Sequence, residues 1–177
     1  MVALVCVGAL SLSATACAPT DAKPTPTPTK TAIFASEDEA LQAAVDVYQQ
    51  YSAVVDKITA EGDAHMAELD GLVTRSYLNE YMDTESFEDR GWHTTGDSTF
   101  RNSEIVELAQ TKNSATIQIA LCRDLSKVKI LDANGDDISD ETRQRAEIPY
   151  TLRFVWDAAK SRLKLSDSGT WDDDSIC

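Results

Sequence analysis

The run Ala115-Thr116-Ile117-Gln118-Ile119-Ala120-Leu121-Cys122 decides the fold class. Ala115, Ile117, Ile119 and Leu121 share one face, while Thr116, Gln118, Ala120 and Cys122 share the other. A period of two belongs to a strand whose one face is buried. Ile148 to Trp156 repeats the pattern, with Ile148, Tyr150, Leu152, Phe154 and Trp156 on one side. A short turn over Asp157–Lys160 leads to Leu163 and Leu165, and Trp171 closes the run before an acidic tail. Upstream, Thr94 to Ala109 reads as a further strand with its apolar part at Ile105-Val106-Glu107-Leu108, and Val128, Ile130 and Leu131 precede a turn over Asp132–Asp137.

Before Gly91 the period is helical. Ser36 with Glu39 three residues on forms a capping box, and the acidic first turn suits the helix dipole. Leu41, Ala44, Val45, Tyr48, Tyr51, Val55 and Ile58 then recur at helical spacing, predicting one long helix of about 22 residues that ends near Gly62. A second helical stretch carries Met66, Leu69, Leu72 and Val73; a third starts near Thr74 and carries Tyr77, Leu78, Tyr81 and Met82. Helices first and strands afterwards predict an α+β domain, with one long and two shorter N-terminal helices packed on a curved antiparallel sheet of four to six strands.

The chain of 177 residues has a formal net charge of −14. An excess of acid that large disfavours nucleic acid and anionic membrane faces as partners, since both reward Lys and Arg. Three regions are expected. Residues 1–16 hold the apolar run Val2–Leu12, too short to span a bilayer and suited to a signal-peptide core. No basic residue precedes that run, so translation is expected to start upstream of Met1. Residues 17–35 contain Pro19, Pro24, Pro26 and Pro28 among threonines, a composition that forbids helix and favours an extended, disordered linker. At about 3.1 Å per residue such a linker reaches up to ~50 Å. Residues 36–177 form the folded domain.

Ala14-Thr15-Ala16-Cys17 resembles a bacterial lipobox, with Ala14 in place of the usual Leu. The same residues fit the small-x-small site of ordinary signal peptidase, which would leave Cys17 as a free thiol. Lipidation accounts for Cys17 more naturally, and the two acyl chains it adds suffice for stable anchoring. Cys6 would leave with the leader, and Cys122 and Cys177 remain as an even pair in an exported chain, for which a disulfide is the expected state. Such a bond would close a loop of about 55 residues, worth about 4 kcal/mol in the chain-entropy account. The expected location is the extracytoplasmic face of the cell membrane, held there by lipid on Cys17.

The order of one long helix, two shorter helices and several long strands looks like the NTF2-like (cystatin-like cone) fold. Ser36 to Cys177 also resembles a group of actinobacterial lipoproteins. The likeness rests on the Ser36-Glu37-Asp38-Glu39-Ala40-Leu41 helix start, Thr94-Thr95-Gly96-Asp97, Ile119 to Asp124, Val128 to Asp132 and Gly169 to Cys177. That group brings no activity with it, and the fold serves enzymes and binding modules alike.

Tyr48, Tyr51, Tyr77, Tyr81, Trp92, His93 and Tyr150 are candidates to line a cone cavity. The apolar strand faces carry no carboxylate suited to general-base work, and no residue is assigned as catalytic. His65 has no Cys or His at ligand spacing and reads as exposed. Asp132-x-Asn134-x-Asp136 starts like a calcium loop, but Asp137 and Arg143 stand at the positions that need Gly and Glu, so Asn134-Gly135 reads as a turn. No metal or cofactor is therefore assigned. The expected function is a non-enzymatic binding domain, taking a small apolar ligand or a protein partner in the envelope. The alternatives are a cavity enzyme of isomerase or hydrolase type and a scaffold subunit of an envelope assembly.

Overall fold

The computed structural model describes residues 32–84 and 86–177; the expected leader, the lipobox-like stretch with Cys17 and most of the expected linker lie outside them. The long helix, α1, spans Glu37–Glu61, three residues longer than its periodicity suggests. Ser36 caps it as the capping box requires, its hydroxyl accepting from the Glu39 amide at 3.1 Å. Gly62 ends it at φ +99°, donating its amide to the Ile58 carbonyl. Asp63–Leu69 is a 3-10 helix rather than a second α-helix, and α2 covers Arg75–Met82 with Thr74 as its cap.

The strands are β1 (His93–Thr95), β2 (Thr99–Gln110), β3 (Ala115–Asp124), β4 (Lys129–Leu131), β5 (Glu147–Asp157) and β6 (Arg162–Thr170), with a short α3 (Ser139–Thr142) between β4 and β5. An antiparallel sheet runs in the order β2-β3-β5-β6, and β1 pairs with β4 in a separate ribbon. The single strand expected over Thr94–Ala109 is thus two. Gly96 breaks it at φ +80°, where a side chain would run into the Lys127 carbonyl.

The inner face of the sheet carries Ile117, Ile119 and Leu121 from β3, Leu152 and Phe154 from β5, and Leu163 and Leu165 from β6, all buried. Ala40, Ala44, Tyr48, Tyr51, Val55 and Ile58 of α1 belong to the same core. β2 joins it irregularly. Register shifts between Arg101 and Glu104 and between Ile105 and Glu107 bring Phe100, Ile105 and Leu108 opposite inward residues of β3, and leave Val106 exposed. A further shift at Ser166 turns Ser168 inward, opposite Leu152. The packed region also begins earlier than residue 36. Ile33 and Phe34 are buried, and Phe34 packs edge-on against Trp156 with ring centroids 5.9 Å apart.

The outer face of β3 has its own cover. Cys122 and Cys177 are joined by a disulfide, and the 3-10 turn Asp174–Ile176 places Ile176 in a buried position. Arg101 donates to the Cys177 carbonyl, Asn102 to the Ile176 carbonyl at 2.8 Å, and Arg145 pairs with Asp174 at 2.7 Å.

Candidate functional site

A cavity of about 370 Å³ opens between the C-terminal half of α1 and the β1–β4 ribbon. Helix α1 supplies Val55, Asp56, Ile58 and Thr59; the following helices supply Asp63, Met66, Tyr81 and Met82. Phe87 and Asp89 close one side, and Thr94, Val128 and Ile130 of the ribbon region close another. The end of β3 contributes Arg123, with Leu125 beyond it, and Arg143 enters from the segment after α3. The ribbon is fastened to α1 by a hydrogen bond between the Thr94 and Thr59 hydroxyls at 2.9 Å.

The electrostatics of the walls are uneven. Asp56 accepts from the Ser98 amide at 3.0 Å and from the Ser98 hydroxyl at 2.9 Å. Burial raises its pKa, against the lowering effect of those bonds and of the Arg123 charge. Asp89 accepts from the amide and hydroxyl of Ser86, each at 3.1 Å. The arginines are less well served. Among the described residues, Arg123 Nε and Arg143 Nη1 are buried and have no hydrogen-bond partner. An unmet buried donor costs about 1–3 kcal/mol, more when the group is charged. The Arg123 guanidinium also lies 5.9 Å from the centre of the Tyr150 ring.

The candidate aromatic residues separate. Tyr81 lines the cavity. Tyr48 is core, packed against Phe100 at 5.0 Å between ring centroids. Tyr51 and Tyr77 share a hydrogen bond of 2.8 Å, and Tyr77 and Tyr150 both reach Ser168, at 2.9 and 3.0 Å. Burial pushes the Tyr48, Tyr51, Tyr77 and Tyr81 hydroxyls up, so all stay protonated at neutral pH. Trp92 packs on Phe87 and lies under Arg90, and His93 is exposed on β1. His65 bridges Glu61 and Glu68 on the surface, and its hydrogen bond to Glu68 raises its pKa. The Asp132 carboxylate accepts from the amides of Asn134 and Asp136, which makes the acidic loop a closed turn.

Arg123 and Arg143 are not among the candidate site residues that the sequence singles out. Arg123 has a legible signal: it continues the inward series Ile117, Ile119, Leu121 and pairs with Phe100 and Ile148. A charged residue on the apolar parity of a strand is a buried-charge signal. Arg143 has none, because its segment follows no period.

The arrangement defines an α+β domain with helices on a four-stranded antiparallel sheet and a cavity between the long helix and a small ribbon. No protein-family model matches the sequence, and no curated protein matches it. Among solved structures, the chain is similar to the intermembrane space region of the chloroplast protein ARC6, at 12% identity and a TM-score of 0.51, over 75% of this chain and 97% of that one. It is also similar to the iota-carbonic anhydrase from a cyanobacterium complexed with bicarbonate, at 16% identity and a TM-score of 0.39, over 82% and 96% of the two chains. At such identities the first likeness is one of fold alone.

Proposed function

We propose that this chain is a lipid-anchored envelope protein whose NTF2-like domain binds a small, largely apolar ligand on the extracytoplasmic face. The cavity carries this reading. Its volume of about 370 Å³ falls within the range of roughly 300–1,000 Å³ usual for small-molecule sites, and Val55, Ile58, Met66, Met82, Phe87, Val128 and Ile130 supply apolar walls. No helix among the described residues is long and apolar enough to cross a membrane, and the anchor is the lipid on Cys17. Intact-mass measurement of the protein taken from membranes is expected to show a diacylglyceryl-modified Cys17 as the first residue. An unmodified thiol at that position sinks the anchor.

A cavity enzyme has one observation on its side, the raised pKa of Asp56 in the cavity that Tyr81 also lines. Both Asp56 oxygens are engaged by Ser98, and Tyr51, Tyr77 and Tyr150 are closed on one another through Ser168. These groups act as clamps between elements, which favours binding over proton transfer. The test is titration with the neutral fluorophore N-phenyl-1-naphthylamine. Saturable enhancement at one site is expected, weakened at least tenfold by Leu125→Trp, which fills the cavity from a half-buried position. An absence of saturable binding by the unmodified chain would end this reading.

A further inference from the structure

The two arginines give the cavity a chemistry that its apolar walls lack. Strand parity places Arg123 on the inner face of β3, one step beyond Leu121. Arg143 is set by the close of α3, its amide bonded to the Ser139 carbonyl at 3.1 Å. Arg123 and Arg143 line one cavity, and the Arg123 Nε and Arg143 Nη1 atoms are buried with no acceptor among the described residues. The carboxylates on the same walls do not supply one. Asp56 is engaged by Ser98, from the segment before β2, and Asp89 by Ser86 within its own turn.

Resting on the cavity reading above, we propose that the ligand is a small amphipathic monoanion: a carboxylate with an aliphatic or aromatic body, whose oxygens accept from Arg123 and Arg143. A carboxylate offers two charged acceptor oxygens and forms strong charge-assisted bonds with guanidinium donors. A neutral alcohol offers one uncharged oxygen and leaves a charged donor unmet. A dianionic head is disfavoured because Asp56, Asp63 and Asp89 stand on the same walls. The apolar body then lies against Ile58, Met66 and Val128, which carry no group to bind the anion.

Calorimetric titration of the protein with octanoate and with 1-octanol tests this without any substitution. Octanoate is expected to bind at least tenfold more tightly than 1-octanol. In the double variant Arg123→Met with Arg143→Met, that ratio is expected to fall to about one, through loss of octanoate affinity. Equal binding of the two compounds by the unmodified protein overturns the anion assignment and leaves the apolar cavity standing. Binding of neither overturns both. A double variant that folds and keeps the octanoate preference shows that the arginines do not hold the anion, and overturns their part in the proposal.

Discussion

Replacing both Cys122 and Cys177 by alanine is expected to cost the domain about 2–5 kcal/mol, the usual loss for a native disulfide. For a chain of this size that is a fall in Tm of roughly 5–15 °C. Alanine is the right replacement because Cys122 is fully buried against the sheet, where a serine hydroxyl would need a partner. The bond spans a sequence separation of 55 residues, so the unfolded chain gains much freedom when it is cut. The folded chain loses order too. Ile176 is held over the outer face of the sheet by the bond together with Asn102 and Arg145, and exposed polar contacts such as the Arg145–Asp174 pair contribute little alone. Thermal unfolding followed by circular dichroism, with and without dithiothreitol, measures the effect. The reductant should lower the Tm of the natural chain to that of the variant and leave the variant unmoved. A loss below about 1 kcal/mol would mean that the polar contacts and Ile176 hold the terminus by themselves.

Such a bond is legible in the cysteines, since the expected loss of Cys6 with a leader and lipidation of Cys17 leave Cys122 and Cys177 as a pair. The inner faces of β3 and β5 are legible for a different reason. Their pairing is free of register shifts, so alternation in sequence maps directly to alternation in space. β2 breaks that mapping twice, and Asn102 takes φ +56° at the first break, so Phe100, Ile105 and Leu108 share a face although their spacing does not show it. Ile33 and Phe34 read as linker because the prolines before them dominate the local composition. Their burial comes from partners far along the chain: Trp156 packs on Phe34, and Gln110 accepts from its amide at 2.9 Å. The tyrosines mislead in the opposite direction. An aromatic stripe on a helix marks an inward face without telling core from cavity, and Tyr48 and Tyr51 belong to the core. At the site, the readable feature is Arg123 on an apolar parity. A search of the strand faces for carboxylates misses it, because the charge in that series is a cation.

Gly96→Ala is expected to cost about 2–6 kcal/mol and to weaken naphthylamine binding more than tenfold, through a position that does not line the cavity. Two penalties combine. The backbone stands at φ +80°, where a residue with a side chain is strained, and the added Cβ would come within 2.1 Å of the Lys127 carbonyl oxygen. Strain of this kind is worth about 1–3 kcal/mol, and forcing atoms into a packed contact costs about 1–3 kcal/mol more. The obstacle is main chain, so no rotamer change can relieve it; either residues 96–98 or residues 127–128 must move. Val128 lines the cavity from the second of these segments and Ile130 from β4, which follows it, and Thr94 does so from the strand that Gly96 ends. Movement of either therefore reshapes the cavity and loosens the Thr94–Thr59 bond to α1. Gly135→Ala separates the two penalties. Gly135 has φ +88°, but its missing Cβ would meet open space. That variant should lose only the backbone part, about 1–3 kcal/mol, and bind the fluorophore as the natural chain does. Urea unfolding and fluorophore titration of both variants give the comparison. If Gly96→Ala matches Gly135→Ala in stability and binding, the close approach of Gly96 to Lys127 does not set the ribbon, and the cavity owes its shape to the Thr94–Thr59 clamp instead.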